Sequence, residues 1–312
     1  MNEFNDRTVV VSVIVPTYNR LELLRQALNS VLQQDWDGWE LVVVDDGSSD
    51  GTIEYLKSLT PANVRLVLLP HSGNVAHVRN AGAKAATGDY LAFLDSDDLW
   101  DPRKLAFQMD RIREDNAPWS YTAYDHIDAS GQPVPPRSGG FATASGRITE
   151  RILSTEVAVG ISTLLVSKAL FERVGLFDED PALNLREDYD LALRLSAVAP
   201  VVASAETLVH VREHPGRATH ACGDSFERMA YVYGKFVAAT SNERLKKLAR
   251  VREAVHLAEA GTARLRHRQP VAALRLWGRA LRRGASVRTV LSAVRRACVG
   301  ANGNARQMVH NG

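Results

Sequence analysis

The amino-acid sequence predicts an α/β fold with a doubly wound, mostly parallel sheet and an all-helical C-terminal appendage. Three observations support this prediction. Short runs of β-branched and aliphatic residues alternate with helix-period segments over the first hundred residues. Polar and acidic loops follow those runs, as expected at the carboxyl edge of a parallel sheet. Beyond about Gly223 the apolar spacing is helical throughout.

Four apolar runs and three helical segments give the first hundred residues a βαβαβαβ order. The first run is continuous and β-branched, which is typical of a parallel strand buried on both faces. Leu21, Leu24, Leu28 and Val31 then recur at helical spacing. This order predicts a parallel sheet with right-handed crossovers. The predicted strands are residues 9–15, 40–44, 64–69 and 90–94, and the predicted helices are residues 21–32, 52–59 and 75–86.

The alternation becomes less regular after Pro102. Gly and Pro residues over 129–133 predict a turn, and residues 135–140 read as a mobile loop. The wider segment 132–146 is a candidate lid over an acceptor site, although loops of this composition are often merely disordered. The remaining predicted elements are helices at 103–113, around 170–171 and at 188–196, and strands at 119–126, 161–166 and 201–211.

Charge divides the chain into an acidic body and a basic tail. From Asn242 to the end there are 16 Lys and Arg residues and 3 Asp and Glu residues. The whole chain has 38 Lys and Arg residues and 36 Asp and Glu residues, so most acidic residues precede Asn242. We therefore predict an α/β domain over residues 1–222, with a flexible start at 1–8, and a basic helical region over 223–312. The helices predicted in this region are residues 245–257, 270–281 and 287–299, and the end around 302–304 is expected to fray.

Composition narrows the class of protein. The 312 residues are 45% hydrophobic and 24% charged, as in ordinary globular chains. Cys222 and Cys298 are too few for a disulfide framework and fit a reducing compartment. The first residues lack a signal-peptide pattern, and no apolar run approaches the roughly 20 residues that span a bilayer. The sequence therefore predicts a cytoplasmic protein.

The segment Asp95-Ser96-Asp97-Asp98 is the strongest candidate site. It directly follows the apolar run at 90–94, and unpaired charges cannot stay in an apolar core. Carboxylates at the carboxyl edge of a sheet suit hard cations such as Mg2+ or Mn2+, which are commonly held together with substrate phosphates. The alternative interpretation is an Asp-rich turn that caps the next helix.

Two further loops are expected to meet this segment at the same edge of the sheet. The first follows strand one and contains Tyr18, whose ring suits stacking on a nucleobase. The second contains Asp46, an acceptor for a base N–H or a ribose hydroxyl, and Arg79 and Asn80 offer donors for phosphate or base. Rim packing for Tyr18 and a turn cap for Asp46 are the structural alternatives. No glycine fingerprint follows strand one, which argues against a dinucleotide-binding oxidoreductase.

Taken together, these segments resemble the hallmarks of family 2 glycosyltransferases, which have the GT-A fold. The resemblance covers roughly residues 8–220. Its motifs are residues 11–20, 44–52, 76–82, 93–98, 174–179, 186–191 and 212–216. It implies an enzyme that transfers a sugar from a nucleotide-diphosphate sugar, with a UDP-sugar as the expected donor, to an acceptor hydroxyl with inversion.

The resemblance assigns roles to individual residues. Asp97 is the expected direct ligand of a divalent metal, Mn2+ or Mg2+, with Asp95 and His214 as the other metal residues. Asp188 is the expected catalytic base, with Glu187 orienting the acceptor or the base. The nucleotide would be bound by Pro16, Thr17, Tyr18, Asn19, Asp46, Arg79, Asn80, Asp95 and Ser96.

Each of the less specific assignments has a structural alternative. Glu187 and Asp188 also complement the dipole at a helix N-terminus. His214 could be a surface histidine before a Pro-Gly turn. Trp100 fits a wall of the sugar pocket and core packing equally well.

The partners follow from the resemblance and from the basic tail. A nucleotide-sugar donor and a saccharide, lipid-linked or other hydroxyl acceptor are expected, in polysaccharide, glycolipid or glycoconjugate synthesis. The tail fits docking on the acidic body, or peripheral contact with an anionic membrane at its inner face. Nucleic acid is not expected, because no recognised motif accompanies the charge. The alternatives to transfer are an inactive sugar-nucleotide-binding scaffold that acts through the tail, and a sugar nucleotidyltransferase.

Overall fold

The computed structural model describes residues 11–59, 63–135, 142–214, 216 and 225–295. The chain divides into two compact units, Met1–His220 and Ala221–Gly312. The boundary lies two residues from the one that the sequence predicts. The predicted flexible start at 1–8 and fraying end at 302–304 lie outside the described residues, as does most of the predicted loop at 135–140.

The first unit begins with the parallel sheet that the sequence predicts. The strands pair in the order β3-β2-β1-β4, all parallel. Residues of β1 and the last five of β2 are fully buried, which explains their continuous apolar sequence. The elements are β1 Val11–Thr17, α1 Leu21–Leu32, β2 Trp39–Asp45, α2 Thr52–Ser58, β3 Val64–Leu68, α3 Val75–Ala85 and β4 Tyr90–Phe93.

The rest of this unit extends the sheet with four antiparallel pairings and the parallel pairing of β6 with β9. The elements are β5 Leu99–Trp100, α4 Lys104–Asp115, β6 Trp119–Ile127, β7 Pro133–Val134, α5 Thr149–Leu153, β8 Leu165–Ser167, α6 Lys168–Arg173, α7 Glu187–Val198 and β9 Val202–Arg212. The full order is β3-β2-β1-β4-β8-β6-β9-β5, with β7 on β6, and β8 is antiparallel to both its neighbours. The mostly parallel α/β prediction is confirmed.

One predicted strand is shorter than expected. Residues 161–166 are predicted as a strand, but Ile161–Thr163 form a 3-10 turn and only Leu165–Ser167 pair in the sheet. The hydroxyls explain the difference. Thr163 Oγ1 donates to the Gly160 carbonyl at 2.6 Å, and Ser162 Oγ donates to Asp98 at 2.6 Å. Side-chain hydrogen bonds of this kind compete with sheet pairing.

The α3 helix packs very close to the sheet. A Cβ added at Gly82 on α3 would lie 2.6 Å from Ile14 Cγ2 and 2.9 Å from Val44 Cγ2. Only glycine allows this approach. The short distance between helix and sheet fixes Arg79 and Asn80, one turn earlier on α3, beside the carboxyl edge of β4.

The second unit is helical. Its helices are α8 Ser225–Ala239, α9 Glu243–Arg266 and α10 Pro270–Arg282, and residues 287–295 are also helical. The α9 and α10 helices pack closely: Trp277 Nε1 donates to the Ala258 carbonyl at 3.0 Å, and a Cβ on Gly261 would lie 2.4 Å from that same nitrogen. Within the described residues, no helix has the length and apolarity needed to cross a membrane.

Candidate active site

One carboxylate of the loop after β4 is a buried anchor. Asp98 is 6% exposed, accepts from Ser162 Oγ at 2.6 Å and accepts from the Arg212 backbone N–H at 3.1 Å. Burial raises the pKa of Asp98, and the nearby carboxylates of Asp97 and Asp95 raise it further. Asp98 therefore ties the loop to β9, and Ser96 beside it is also buried.

Asp97 faces His214 and Arg20. Its Oδ2 lies 2.9 Å from His214 Nε2, and the same oxygen accepts a hydrogen bond from Arg20 Nη1. Arg20 also donates to the Gly216 carbonyl at 3.0 Å. His214 is thus partly buried beside Asp97 rather than a free surface histidine, with 11% of its side chain exposed.

Asp97 and His214 form a donor set that fits a divalent cation. A carboxylate oxygen and an imidazole nitrogen are both good ligands for Mn2+, and a bound diphosphate would supply further oxygens. Among the described residues, no three His, Cys, Asp or Glu side chains cluster closely enough to hold a metal. Asp95, the third predicted ligand, instead accepts from Arg79.

Arg79 joins the loop after β4 to the start of α7. It is 4% exposed, and it donates from Nη2 to Asp95 Oδ1 and from Nη1 to Glu187 Oε1, both at 2.6 Å. The second carboxylate oxygen of Glu187 is buried without a hydrogen-bond partner. Arg79 therefore holds together two segments that lie about a hundred residues apart in the chain.

Asp188 follows Glu187 in the first turn of α7 and is partly exposed. Burial of the carboxyl and the neighbouring Glu187 carboxylate raise the pKa of Asp188 to about 6, although Arg79 and Arg186 oppose the shift. Its Oδ1 accepts from the Tyr189 backbone N–H at 2.7 Å. A carboxylate with a pKa close to neutrality is well matched to accept a proton during a reaction.

The end of β1 carries an exposed aromatic pair. Tyr18 is 42% exposed and stacks on His71 with ring centroids 4.0 Å apart. The loop is held by Asn19, whose Oδ1 accepts from Ser49 N at 2.7 Å. Thr17 Oγ1, the last side chain of β1 after Pro16, is buried without a partner.

Asp46 is already engaged by the loop after β3. Its carboxylate accepts from the N–H and hydroxyl of Ser72, each at 2.8 Å, and from Gly73 N at 3.0 Å. The geometry therefore fits the turn-cap interpretation of Asp46. It also places the Asp46 backbone and the Tyr18 and His71 rings next to each other, since His71 Nδ1 lies 3.0 Å from the Asp46 carbonyl.

Asn80 and Trp100 have structural contacts in this structure. The Asn80 amide accepts from Phe177 N at 3.0 Å and donates to the Phe177 carbonyl at 2.9 Å and to Glu179 Oε1 at 2.8 Å. Trp100 is buried, and its Nε1 donates to the Ser162 carbonyl at 2.8 Å. Core packing of Trp100 is therefore the interpretation that the contacts favour.

Sequence reasoning missed the residues that support the site from elsewhere in the chain. Ser162 on Asp98 and His71 on Tyr18 lie outside the recognised motifs, and Arg20 on Asp97 lies within the motif at 11–20 but was given no role. Arg212 is 1% exposed, and its Nε donates to the Asp97 carbonyl at 3.0 Å. The available signals for Arg212 are its place in the motif at 212–216 and its position as a charged residue at the end of an apolar strand.

The chain resembles known sugar transferases in sequence. Residues 12–174 match "Glycosyl transferase family 2". The putative teichuronic acid biosynthesis glycosyltransferase TuaG of Bacillus subtilis is 32% identical over 189 residues, 60% of this chain and 71% of that protein. The UDP-Glc:alpha-D-GlcNAc-diphosphoundecaprenol beta-1,3-glucosyltransferase WfgD of Escherichia coli is 31% identical, over 60% of this chain and 69% of its own length. Two uncharacterized Rickettsia glycosyltransferases are matched over only 26% and 30% of their length.

Solved structures share the fold. S. aureus TarS 1-349 in complex with UDP-GlcNAc superimposes with a TM-score of 0.65 at 19% identity, over 86% of this chain and 89% of that one. The mannosyltransferase PcManGT of Pyrobaculum calidifontis, in complex with GDP-Man and Mn2+, superimposes with a TM-score of 0.57 at 19% identity, over 93% of this chain and 80% of that one.

Proposed function

Since the chain belongs to glycosyl transferase family 2, we propose that it transfers a sugar from a nucleoside-diphosphate sugar to an acceptor hydroxyl with inversion. A UDP-sugar is the proposed donor. The names of WfgD and of the TarS complex, which specify UDP-Glc and UDP-GlcNAc, support this choice. Polysaccharide or glycolipid synthesis is the proposed setting, in line with TuaG and WfgD.

One observation carries the proposal: the bridge from Asp95 through Arg79 to Glu187. Both hydrogen bonds are 2.6 Å long. The bridge brings the proposed donor loop after β4 and the proposed base Asp188 to one site. An inverting transferase needs its base and its donor loop at one site, because the base must deprotonate the acceptor on the face of the anomeric carbon opposite the departing diphosphate.

Asp188 is the proposed general base. The acceptor oxygen attacks the anomeric carbon and forms the new glycosidic bond, while the bond from that carbon to the diphosphate oxygen breaks. Asp188 takes the acceptor proton, and the nucleoside diphosphate leaves with the bonding electrons. The pKa of Asp188, raised to about 6, leaves the side chain ionised at neutral pH yet more basic than an ordinary aspartate.

Asp97 and His214 would hold a divalent metal, Mn2+ or Mg2+, with Asp95 nearby. A bound metal would stabilise the negative charge that develops on the leaving diphosphate. Arg20 contacts Asp97 and has 26% of its side chain exposed, so it offers a second cation for the same diphosphate. The Mn2+ present in the PcManGT complex supports a metal in this fold.

The nucleoside would lie against the loop at 16–19. The exposed ring of Tyr18, stacked on His71, offers a face for the base, and the Asp46 backbone lies beside it. Arg79, Asn80 and Ser96 are engaged or buried in this structure, so we propose that they shape the site from behind rather than contact the nucleotide.

A lipid-linked saccharide on the cytoplasmic side of a membrane is the proposed acceptor, supported by the diphosphoundecaprenol in the name of WfgD.

Calorimetric binding of UDP, GDP, dTDP and CDP, each with Mn2+, Mg2+ or EDTA, tests the donor class. We expect metal-dependent binding of UDP that Asp97→Asn abolishes and Asp188→Asn leaves intact.

Turnover separates this proposal from its alternatives. With the UDP-sugar that binds, wild-type protein should release UDP when an acceptor is added. A scaffold would bind the nucleotide and release none, and a nucleotidyltransferase would release pyrophosphate from UTP and a sugar phosphate. Either of these results would overturn the proposed transfer.

A further inference from the structure

Apolar side chains are unusually exposed on the last helices of the second unit. Five of the twelve large hydrophobic residues that are exposed in the described chain fall within 21 consecutive positions. They are Val271 at 62%, Leu274 at 65%, Leu281 at 44%, Val287 at 64% and Leu291 at 53%. Single exposed aliphatic residues need no explanation, but a concentration of this kind marks an interaction surface.

The α10 helix has three distinct sectors. With about 100° between successive residues, Val271, Leu274 and Leu281 fall in one sector about 80° wide. A second sector holds the residues that α10 buries against its neighbours, Ala273, Leu276, Trp277 and Ala280. The third sector, on the other side of the apolar stripe, holds Arg275, Arg279 and Arg282. Arg283, which directly follows the helix, forms an ion pair with the buried Glu253 at 2.9 Å.

The following helix repeats this division. Val290 and Ala293 belong to the same buried cluster as Leu276 and Ala280, whereas Val287 and Leu291, one turn apart, are exposed. Arg288 and Arg295 add positive charge, and the sequence contains no Asp or Glu after Glu259. Arg279, Arg282 and Arg283 also line an open pocket at the end of α10.

We propose that the face formed by Val271, Leu274, Leu281 and the adjacent arginines docks on the surface of an anionic lipid bilayer. Aliphatic side chains flanked by arginines are the combination that inserts shallowly into the acyl boundary while the guanidinium groups contact lipid phosphates. A second copy of this chain is a poorer partner, because a face without carboxylates would meet its own positive charge. The proposal does not depend on the transfer reaction.

Vesicle flotation of the full chain tests this docking face. We expect the wild type to float with vesicles that contain about one-third phosphatidylglycerol at about 0.05 M salt, and to dissociate as salt screens the charge. Binding to pure phosphatidylcholine should be weak. The Asp188→Asn chain should float like the wild type, so a failure of the proposed transferase function would not affect this result.

Two double variants locate the docking face. Leu274→Ser with Leu281→Ser should lower the partition coefficient by roughly tenfold or more. Arg275→Gln with Arg282→Gln should lower it by roughly thirtyfold, at about fivefold for each arginine. The matched controls are Val251→Ser on α9, where the valine is 50% exposed, and Arg111→Gln with Arg113→Gln on α4, where the arginines are 42% and 47% exposed.

Three results would overturn the proposal. The wild type could fail to float with anionic vesicles at low salt. The controls could lose as much binding as the variants of the docking face. Light scattering could show that the wild type is an oligomer and that the Leu274→Ser, Leu281→Ser variant is not. If that variant bound vesicles as well as the wild type, the face would serve self-association. Circular dichroism checks that each variant is folded.

Discussion

Replacing Asp188 by asparagine should abolish transfer and stabilise the folded protein at neutral pH. The folded-state pKa of Asp188 is raised from 3.8 to about 6, first by burial and then by the Glu187 carboxylate. A raised carboxyl pKa means that folding disfavours the ionised form. The charge of Asp188 therefore costs stability above pH 6, and the cost disappears below pH 4, where the group is protonated in both states.

The size of this cost follows from the shift. Each pKa unit corresponds to 1.36 kcal/mol, so a shift to about 6 corresponds to at most about 3 kcal/mol. Asp188 is partly exposed, and solvent screening reduces the figure, so we expect Asp188→Asn to be more stable by roughly 1–3 kcal/mol at about pH 7.5. The asparagine Oδ1 can still accept from the Tyr189 N–H, which keeps the helix start intact.

Urea unfolding of wild type and variant at about pH 7.5 and about pH 4 measures the effect. The difference in the free energy of unfolding should shrink towards zero at the lower pH. The rate of transfer should fall by roughly 10²- to 10⁴-fold, because an amide cannot accept the proton. In the wild type, kcat/KM should fall as the pH drops through about 6.

Asp190→Asn on the same helix is the matched control. The Asp190 carboxylate accepts from Arg194 Nε at 2.7 Å and is buried, so its loss should destabilise the protein by about 1–3 kcal/mol. An Asp188→Asn protein that is less stable than wild type at pH 7.5, or whose stability difference is the same at both pH values, would refute the electrostatic reasoning. Retained transfer would refute the assignment of the base.

Three further perturbations test the site and its supports. Arg79→Met leaves the carboxylates of Asp95 and Glu187 without their cation, and should cost roughly 3–5 kcal/mol in urea unfolding. Because Arg79 lowers the pKa of Asp188, the acidic limb of the pH–rate profile should also move to higher pH, and an unmoved limb would contradict this. Gly82→Ala should cost about 1–3 kcal/mol in the same assay, because its Cβ would lie 2.6 Å from a side chain of β1; an unchanged midpoint would show that α3 can move outward. Arg20→Gln removes a cation that contacts Asp97, so Mn2+ alone should bind several-fold more tightly by electron paramagnetic resonance, and weaker binding would contradict this competition.

The local features of the fold could be predicted from the sequence. β1 and β2 are buried on both faces, and burial of this kind demands continuous apolar residues that are visible in the sequence. The position of Asp95, Asp97 and Asp188 at element ends was visible for a related reason, since an unpaired charge is costly in an apolar core. Residues 161–163 were mispredicted because two hydroxyls found partners outside the sheet.

The sequence by itself determined the alternation of the first four strands with helices along the chain, the family, and the loops that carry acidic residues, because these depend on local periodicity and on motif identity. Only the tertiary structure decided what each polar group contacts. Arg79 and Asn80, which the motifs place at the nucleotide, lie within hydrogen-bonding distance of Glu187 and of Phe177, 108 and 97 residues later. Hydrogen bonds and ion pairs depend on distances of a few ångströms between side chains, and such distances are set by how helices and strands pack, which no local pattern encodes.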